Sequence, residues 1–157
     1  MSFVPDPYIQ LDLAGEDVDT AAWFCVNKHE IADAYAPQRR DNVPLPGVNG
    51  LLPIETFDDE QTIDLRWVMT GNVQPNGTPI SDPAAGLKAN KRLFVARYFR
   101  GTRDSFGCVL ADVVDVDDVE LGGRVQLDAP RFSEGLFECG VVMPVTIPRG
   151  ELLEVGS

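Results

Sequence analysis

Thr62-Ile63-Asp64-Leu65-Arg66-Trp67-Val68-Met69-Thr70-Gly71 alternates apolar and polar side chains along its length. Ile63, Leu65, Trp67 and Met69 fall on one face, with Asp64 and Arg66 opposite, the period of two that marks a half-buried strand. Upstream, Arg39-Arg40-Asp41-Asn42-Val43-Pro44-Leu45-Pro46-Gly47-Val48-Asn49-Gly50-Leu51-Leu52-Pro53 cannot form a helix. Pro44, Pro46 and Pro53 remove backbone donors, and Gly47 and Gly50 offer positive φ. An extended Pro/Gly segment over 39–60 is costly to order, so we read it as an interaction loop that contacts another protein.

Outward from this stretch, Tyr8–Leu13 reads as a short strand closed by the polar turn Ala14-Gly15-Glu16-Asp17. Thr20–Lys28 reads as a second strand, and Glu30–Tyr35 stays open between strand and helical turn. Pro75-Asn76-Gly77 marks a tight turn. Phe106–Val116, Glu120–Leu127 and Leu136–Ile147 are rich in valine and alternate, which predicts three further strands, with Gly122-Gly123 at a bulge or bend. Pro148-Arg149-Gly150 reads as the end of the order, leaving 148–157 as a free or partner-bound tail.

One helix is predicted over 83–100. Asp82 suits its N-cap, Pro83 its first turn, and Gly101 its end. At about 100° per residue Leu87, Phe94 and Tyr98 share a face, flanked by Ala84 and Val95, while Lys88, Arg92, Arg97, Arg100 and Arg103 cover the opposite arc. The sum is a single mainly β domain over 1–157. We expect a β-sandwich or open barrel of about six to eight strands with one flanking α-helix.

At 157 residues, 44% of them hydrophobic and 24% charged, the chain can bury a proper core without staples. No apolar run is long enough to span a bilayer. Met1-Ser2-Phe3-Val4-Pro5-Asp6 lacks a signal-peptide pattern, so synthesis in a cytoplasm is expected. The net charge of −12 argues against an ordinary nucleic-acid binder. Its distribution is uneven: six cations and no acid lie between Pro83 and Arg103, leaving seven cations against 25 acids elsewhere. A basic segment on an acidic body suits self-association; a solvated helix face has the same look.

No chemistry assembles from the residues. Cys25, Cys108 and Cys139 lie far apart and lack the close pair of a zinc site, so they read as buried free thiols. His29 has no serine or cysteine placed to share its proton and reads as a strand residue. The carboxylates of Asp112-Val113-Val114-Asp115-Val116-Asp117-Asp118-Val119-Glu120 lack the glycine and spacing of a calcium loop, and a charged strand edge explains them more simply. Gly47 and Gly50 precede neither a lysine nor a helix start, so they make no phosphate cradle. The aromatics are dispersed and form no sugar-stacking platform. No catalytic residue, cofactor or metal ligand is expected.

The arginine-bearing loop with Asn-x-x-Leu-Pro-Gly-x-Asn-Gly over 42–50 resembles the N-terminal ring domain of siphophage distal tail proteins and related minor tail proteins of phages infecting actinobacteria. So do the strand Asp64-Leu65-Arg66-x-x-Met69-x-Gly71 and the following turn and helix with Gly86-Leu87-x-x-Asn90-x-x-Leu93. The resemblance covers roughly residues 25–147 and implies a tail-tube-like β-sandwich flanked by a helix. It further implies a non-enzymatic virion protein made in the host cytoplasm. Such a protein forms a hexameric homo-oligomeric ring at the end of the tail tube, around the tape-measure protein and joined to tip or hub proteins. DNA would pass its lumen without specific binding, and no membrane is involved. The resemblance leaves open a tail-tube or head–tail connector subunit; a sugar- or host-surface-binding β-sandwich is the rival of a different class. The expected interface residues are Arg39, Arg40, Asn42, Pro46 and Asn49 in the loop, and Lys88, Arg92, Arg97 and Arg100 on the helix back.

Overall fold

A computed structural model of the chain describes residues 9–36, 38–39, 43–44, 51–52, 57–115 and 119–155. Its first strands are β1 (Gln10–Leu13), β2 (Glu16–Asp17), β3 (Trp23–Cys25), β4 (Gln38–Arg39), β5 (Val43–Pro44), β6 (Leu51–Leu52) and β7 (Phe57–Asp58). After these come β8 (Gln61–Thr70), β9 (Val109–Val114), β10 (Glu120–Leu127), β11 (Arg131–Phe132), β12 (Glu138–Ile147) and β13 (Leu153–Glu154). The helices are the single turn α1 (His29–Ala32) and α2 (Pro83–Phe94), which runs on through a π turn over Val95–Phe99.

The main sheet is antiparallel throughout, in the order β2-β1-β9-β10-β12-β8-β3, and it curls into an open half-barrel. β8 lies between β12 and the edge strand β3 and, with β12, is one of the two longest strands. The predicted inward face of β8 pairs residue for residue with that of β12: Ile63 with Val145, Leu65 with Met143, Trp67 with Val141 and Met69 with Cys139. All eight are buried. In the other half, Val109 pairs with Val125, and Leu11 and Leu13 pair with Val113 and Ala111. One apolar core therefore lines the concave side.

Among the described residues, backbone pairing joins the halves where Gln126 and Leu127 at the end of β10 meet Thr146 and Val145 of β12. Beyond β12 the chain turns at Pro148-Arg149-Gly150, with Gly150 at φ 82°, and β13 returns to pair Leu153 and Glu154 with Gly122 and Leu121 of β10. Leu152 is in the core. Residues 148–155 of the segment expected as a tail thus form a corner followed by a short strand, held in place by apolar burial. Of the bulge or bend expected at Gly122-Gly123, the bulge does not form. Both residues keep regular register with β9, and the absent side chains make room for the returning chain. A Cβ would come within 2.9 Å of Val155 at Gly122 and 3.2 Å of Leu152 at Gly123.

Two more expectations change. β9 is not an edge: β1 and β10 flank it, so the carboxylate of Asp112 stands mid-sheet. Val116, Asp117 and Asp118 lie outside the described residues. The strand expected over Thr20–Lys28 shrinks to β3, because Asn27 replaces backbone pairing with its amide. That side chain accepts from the Arg66 N–H at 2.8 Å and donates to the Asp64 carbonyl at 2.8 Å. The chain is then free to turn into α1, where His29 is exposed at the start of a helical turn rather than in a strand. Within the Pro/Gly segment, β4 pairs with β7 and β5 with β6, two nested antiparallel ladders apart from the main sheet.

The predicted helix begins as expected, with the Asp82 carboxylate accepting from the Ala85 N–H. Its N-terminal half is pressed onto the end of β8. A Cβ on Gly71 would lie 2.0 Å from the Pro83 carbonyl oxygen, and one on Gly86 would lie 2.3 Å from that of Gly71. Glycine inside a helix costs about 1 kcal/mol relative to alanine; here it permits the contact. Buried Asn90 fixes the approach by donating to the carbonyls of Thr70 at 2.8 Å and Val73 at 3.0 Å.

The C-terminal half inserts Phe94 and Tyr98 between Trp23 and Trp67. Ring centroids lie 5.0 Å apart for Trp67–Phe94, 5.6 Å for Trp23–Phe94 and 4.9 Å for Phe94–Tyr98. The Tyr98 hydroxyl accepts from Trp23 Nε1 at 3.2 Å and donates to the Asp17 carbonyl, while Trp67 Nε1 donates to the Val18 carbonyl at 3.0 Å. The π turn keeps Tyr98 aligned under Phe94, since its wider coil reduces the angular offset between residues four apart.

Gly71→Ala should lower stability by about 1–3 kcal/mol, because the extra methyl meets backbone that cannot give way. A urea midpoint equal to wild type would refute this contact. Tyr98→Phe should cost about 1–3 kcal/mol by stranding the buried partners of the hydroxyl. Burial pushes the Tyr98 phenol from 10.0 up to about 12. Its contribution is therefore complete below the unfolded value and fades as pH rises through the folded one. A pH series of denaturation midpoints should show this alkaline loss in wild type and not in Tyr98→Phe.

Candidate assembly surface

With Leu87, Phe94 and Tyr98 turned inward, the cations of α2 must distribute over what remains. Lys88, Arg92 and Arg100 are exposed. Arg97 is not part of that outer set. It is half-buried, with its guanidinium 5.5 Å from the centre of the Trp23 ring, where it caps the aromatic cluster. Lys91 lies 5.6 Å over the Phe132 ring. Together Lys91, Arg92 and Arg100 border a shallow groove of about 370 Å³ floored by Val95, Ala96 and Phe132. Among the described residues, no carboxylate lies within ion-pair distance of any of these cations. The ion pairs among the described residues are Lys28–Asp19 and Arg124–Asp104, both at 2.6 Å.

Of the loop candidates, Arg39 is described only through its backbone, which pairs with Phe57 in β4 and β7. Arg40, Asn42, Pro46 and Asn49 lie outside the described residues. The structure therefore brings Lys88, Arg92 and Arg100 to one outer surface, assigns Arg97 to the interior boundary, and adds Lys91, which sequence reading had left out of the set. Helical phase alone cannot find Lys91; the signal is Phe132, which arrives from a distant strand.

The acids gather elsewhere. Asp12 of β1 stands directly opposite Asp17 of β2 and Asp112 of β9, all on the outer face of the sheet. Like charges placed opposite one another are unfavourable. A hydrogen bond and repulsion from Asp112 hold the Glu120 carboxyl above its usual range, and burial does the same to Asp17. The thiols are buried and unpaired, and desolvation pushes Cys25 up to about 12. A thiol held there is a poor nucleophile and a poor ligand. Among the described residues, no group of three or more His, Cys, Asp or Glu is placed to hold a metal ion. No described helix is long and apolar enough to cross a membrane.

No protein-family model matches the sequence, and no curated protein matches it. Among solved structures the chain is similar to SPP1 Dit, a protein described as a paradigm of the hub adsorption apparatus in phages infecting Gram-positive bacteria. The match covers 90% of this chain and 50% of that one, with a TM-score of 0.55 at 10% identity. The chain has the fold of a phage distal tail protein. It spans half the length of SPP1 Dit. The likeness is one of backbone path; at this identity the side chains that make surfaces are this chain's own.

Arg92→Glu should leave stability within about 0.5 kcal/mol of wild type, since nothing in the fold leans on that side chain. Arg97→Glu should cost about 1–2 kcal/mol through loss of the cation over Trp23. Equal melting temperatures for the two variants would show that Arg97 does not cap the aromatic cluster.

Proposed function

We propose that the chain is a structural, non-enzymatic subunit of a long-tailed phage virion. It forms a ring, hexameric by analogy with distal tail proteins, at the distal end of the tail tube. The observation that carries this reading is the distal-tail fold over 90% of the chain. It is supported by a helix whose outward cations have no partner within their own described chain. A ring closes through heterologous contacts, in which one patch meets a different patch on the next copy. Cations on one side and acids on the other supply two unlike patches, steering registration and opposing wrong pairings.

In this reading Lys88, Arg92 and Arg100 contact the neighbour, and Arg97 supports them from beneath. Arg39, Arg40, Asn42, Pro46 and Asn49 in the proline-stiffened segment reach a second neighbour at low entropic cost. Its partners are the tail-tube protein, the tape-measure protein within the lumen and the tip or hub proteins beyond. DNA passes without specific binding, repelled by a body of net charge −12. The rival sugar-binding reading needs exposed aromatics gathered in one groove. Among the described residues the main aromatic cluster is interior, and Tyr35 and Phe106, two of the exposed rings with Phe137, line different grooves.

Cryo-EM of phage tails carrying an affinity label on this chain should place the label in a ring at the tube's distal end. Purified tails that lack the label, or that carry it as single copies along the fibres, would refute the proposal.

A further inference from the structure

The groove on the back of α2 has apolar floor residues open to solvent and cations with no carboxylate partner among the described residues. Leu93, 45% exposed, extends the apolar strip along the same helix. The occupant it fits carries an apolar centre and an acidic margin. This chain presents such a surface on the convex face of β1, β9 and β10. There Leu110 is 66% exposed and Val155 49% exposed, beside a shallow depression of about 340 Å³ over Gly122 and Gly123. Asp12, Asp112 and Glu120 border the same depression.

We propose that the helix-back groove of one copy receives the outer face of β1, β9 and β10 of a second copy, head to tail. The inference rests on the ring reading above and names the two surfaces that meet. α2 lies on the concave side of the sheet and the acidic depression on the convex side, so one molecule cannot satisfy its own pair. Lys91, Arg92 and Arg100 face Asp12, Asp112 and Glu120, while Val95, Ala96 and Phe132 meet Leu110 and Val155. The crowding of carboxylates on the outer face is unfavourable in the free chain, and the arriving cations relieve it. The contact weakens with added salt, as opposed charges near a surface must.

The test uses the full chain at low ionic strength, with oligomer mass followed by sedimentation velocity over a concentration series. A helix-reversed variant (Arg92→Glu with Arg100→Glu) and a sheet-reversed variant (Asp12→Lys with Glu120→Lys) should each associate more than about tenfold more weakly than wild type. Both should keep wild-type circular dichroism, since these side chains stand on the surface. Mixing the two variants should restore assembly, because each supplies the complement of the other's reversed patch. Wild type that assembles into closed rings, with both variants doing the same, overturns this pairing and leaves the ring reading standing. Wild type that assembles while the mixture stays monomeric also overturns it. Wild type that stays monomeric throughout overturns the pairing, and the labelled-tail experiment then decides the ring reading separately.

Discussion

Four rings hold the helix to the sheet, and the rest of the fold depends on that seating. Trp67 stands mid-strand on β8, Trp23 on the edge strand β3, and Phe94 and Tyr98 descend from the helix between them. Burying side chains of this size contributes about 1.5–3 kcal/mol each, and favourable ring geometry adds about 0.5–1.5 kcal/mol per pair. The hydrogen bonds at the centre are worth about 1 kcal/mol each. Burial therefore stabilises the cluster, while the hydrogen bonds select one arrangement. Through Tyr98 both ends of the sheet, near Asp17 on one side and at Trp23 on the other, meet at a single hydroxyl. The helix thus closes a barrel that the strands leave open.

The same seating decides the electrostatics. A helix packed by one face must show the other, and here the shown face carries the cations of a strongly acidic chain. The outer face of the other half-sheet carries facing carboxylates. The cations come from one basic stretch of sequence, the facing carboxylates from strands apart along the chain, and the curl of the sheet turns the two patches in different directions. Two unlike surfaces on one rigid body are the requirement for a closed ring of identical copies.

Sheet edges offer little competition for such side-chain contacts. The edge strands β2 and β3 are short, and β3 is occupied by its own connection. The Thr20 N–H donates to the Trp23 carbonyl, the Trp23 N–H donates to the Thr20 hydroxyl, and the Asp19 carboxylate accepts from the Cys25 N–H. Short, pre-satisfied edges discourage strand-by-strand addition of another chain. Buried Lys28, paired with Asp19, keeps that connection in place.

By itself the sequence determined the class of the fold, the phase of β8 and its partners, and the limits and inward face of α2. Those signals are local: period two, period 3.6, a capping aspartate and a proline in the first turn. Only the tertiary structure decided that Asp112 is mid-sheet, that Gly122 and Gly123 make room for a returning strand, and that Pro148-Arg149-Gly150 is a corner. It also drew Arg97 inward over Trp23 and brought Phe132 beside Lys91. Each of these depends on a neighbour remote along the chain, and no residue's own pattern records which remote surface will press against it.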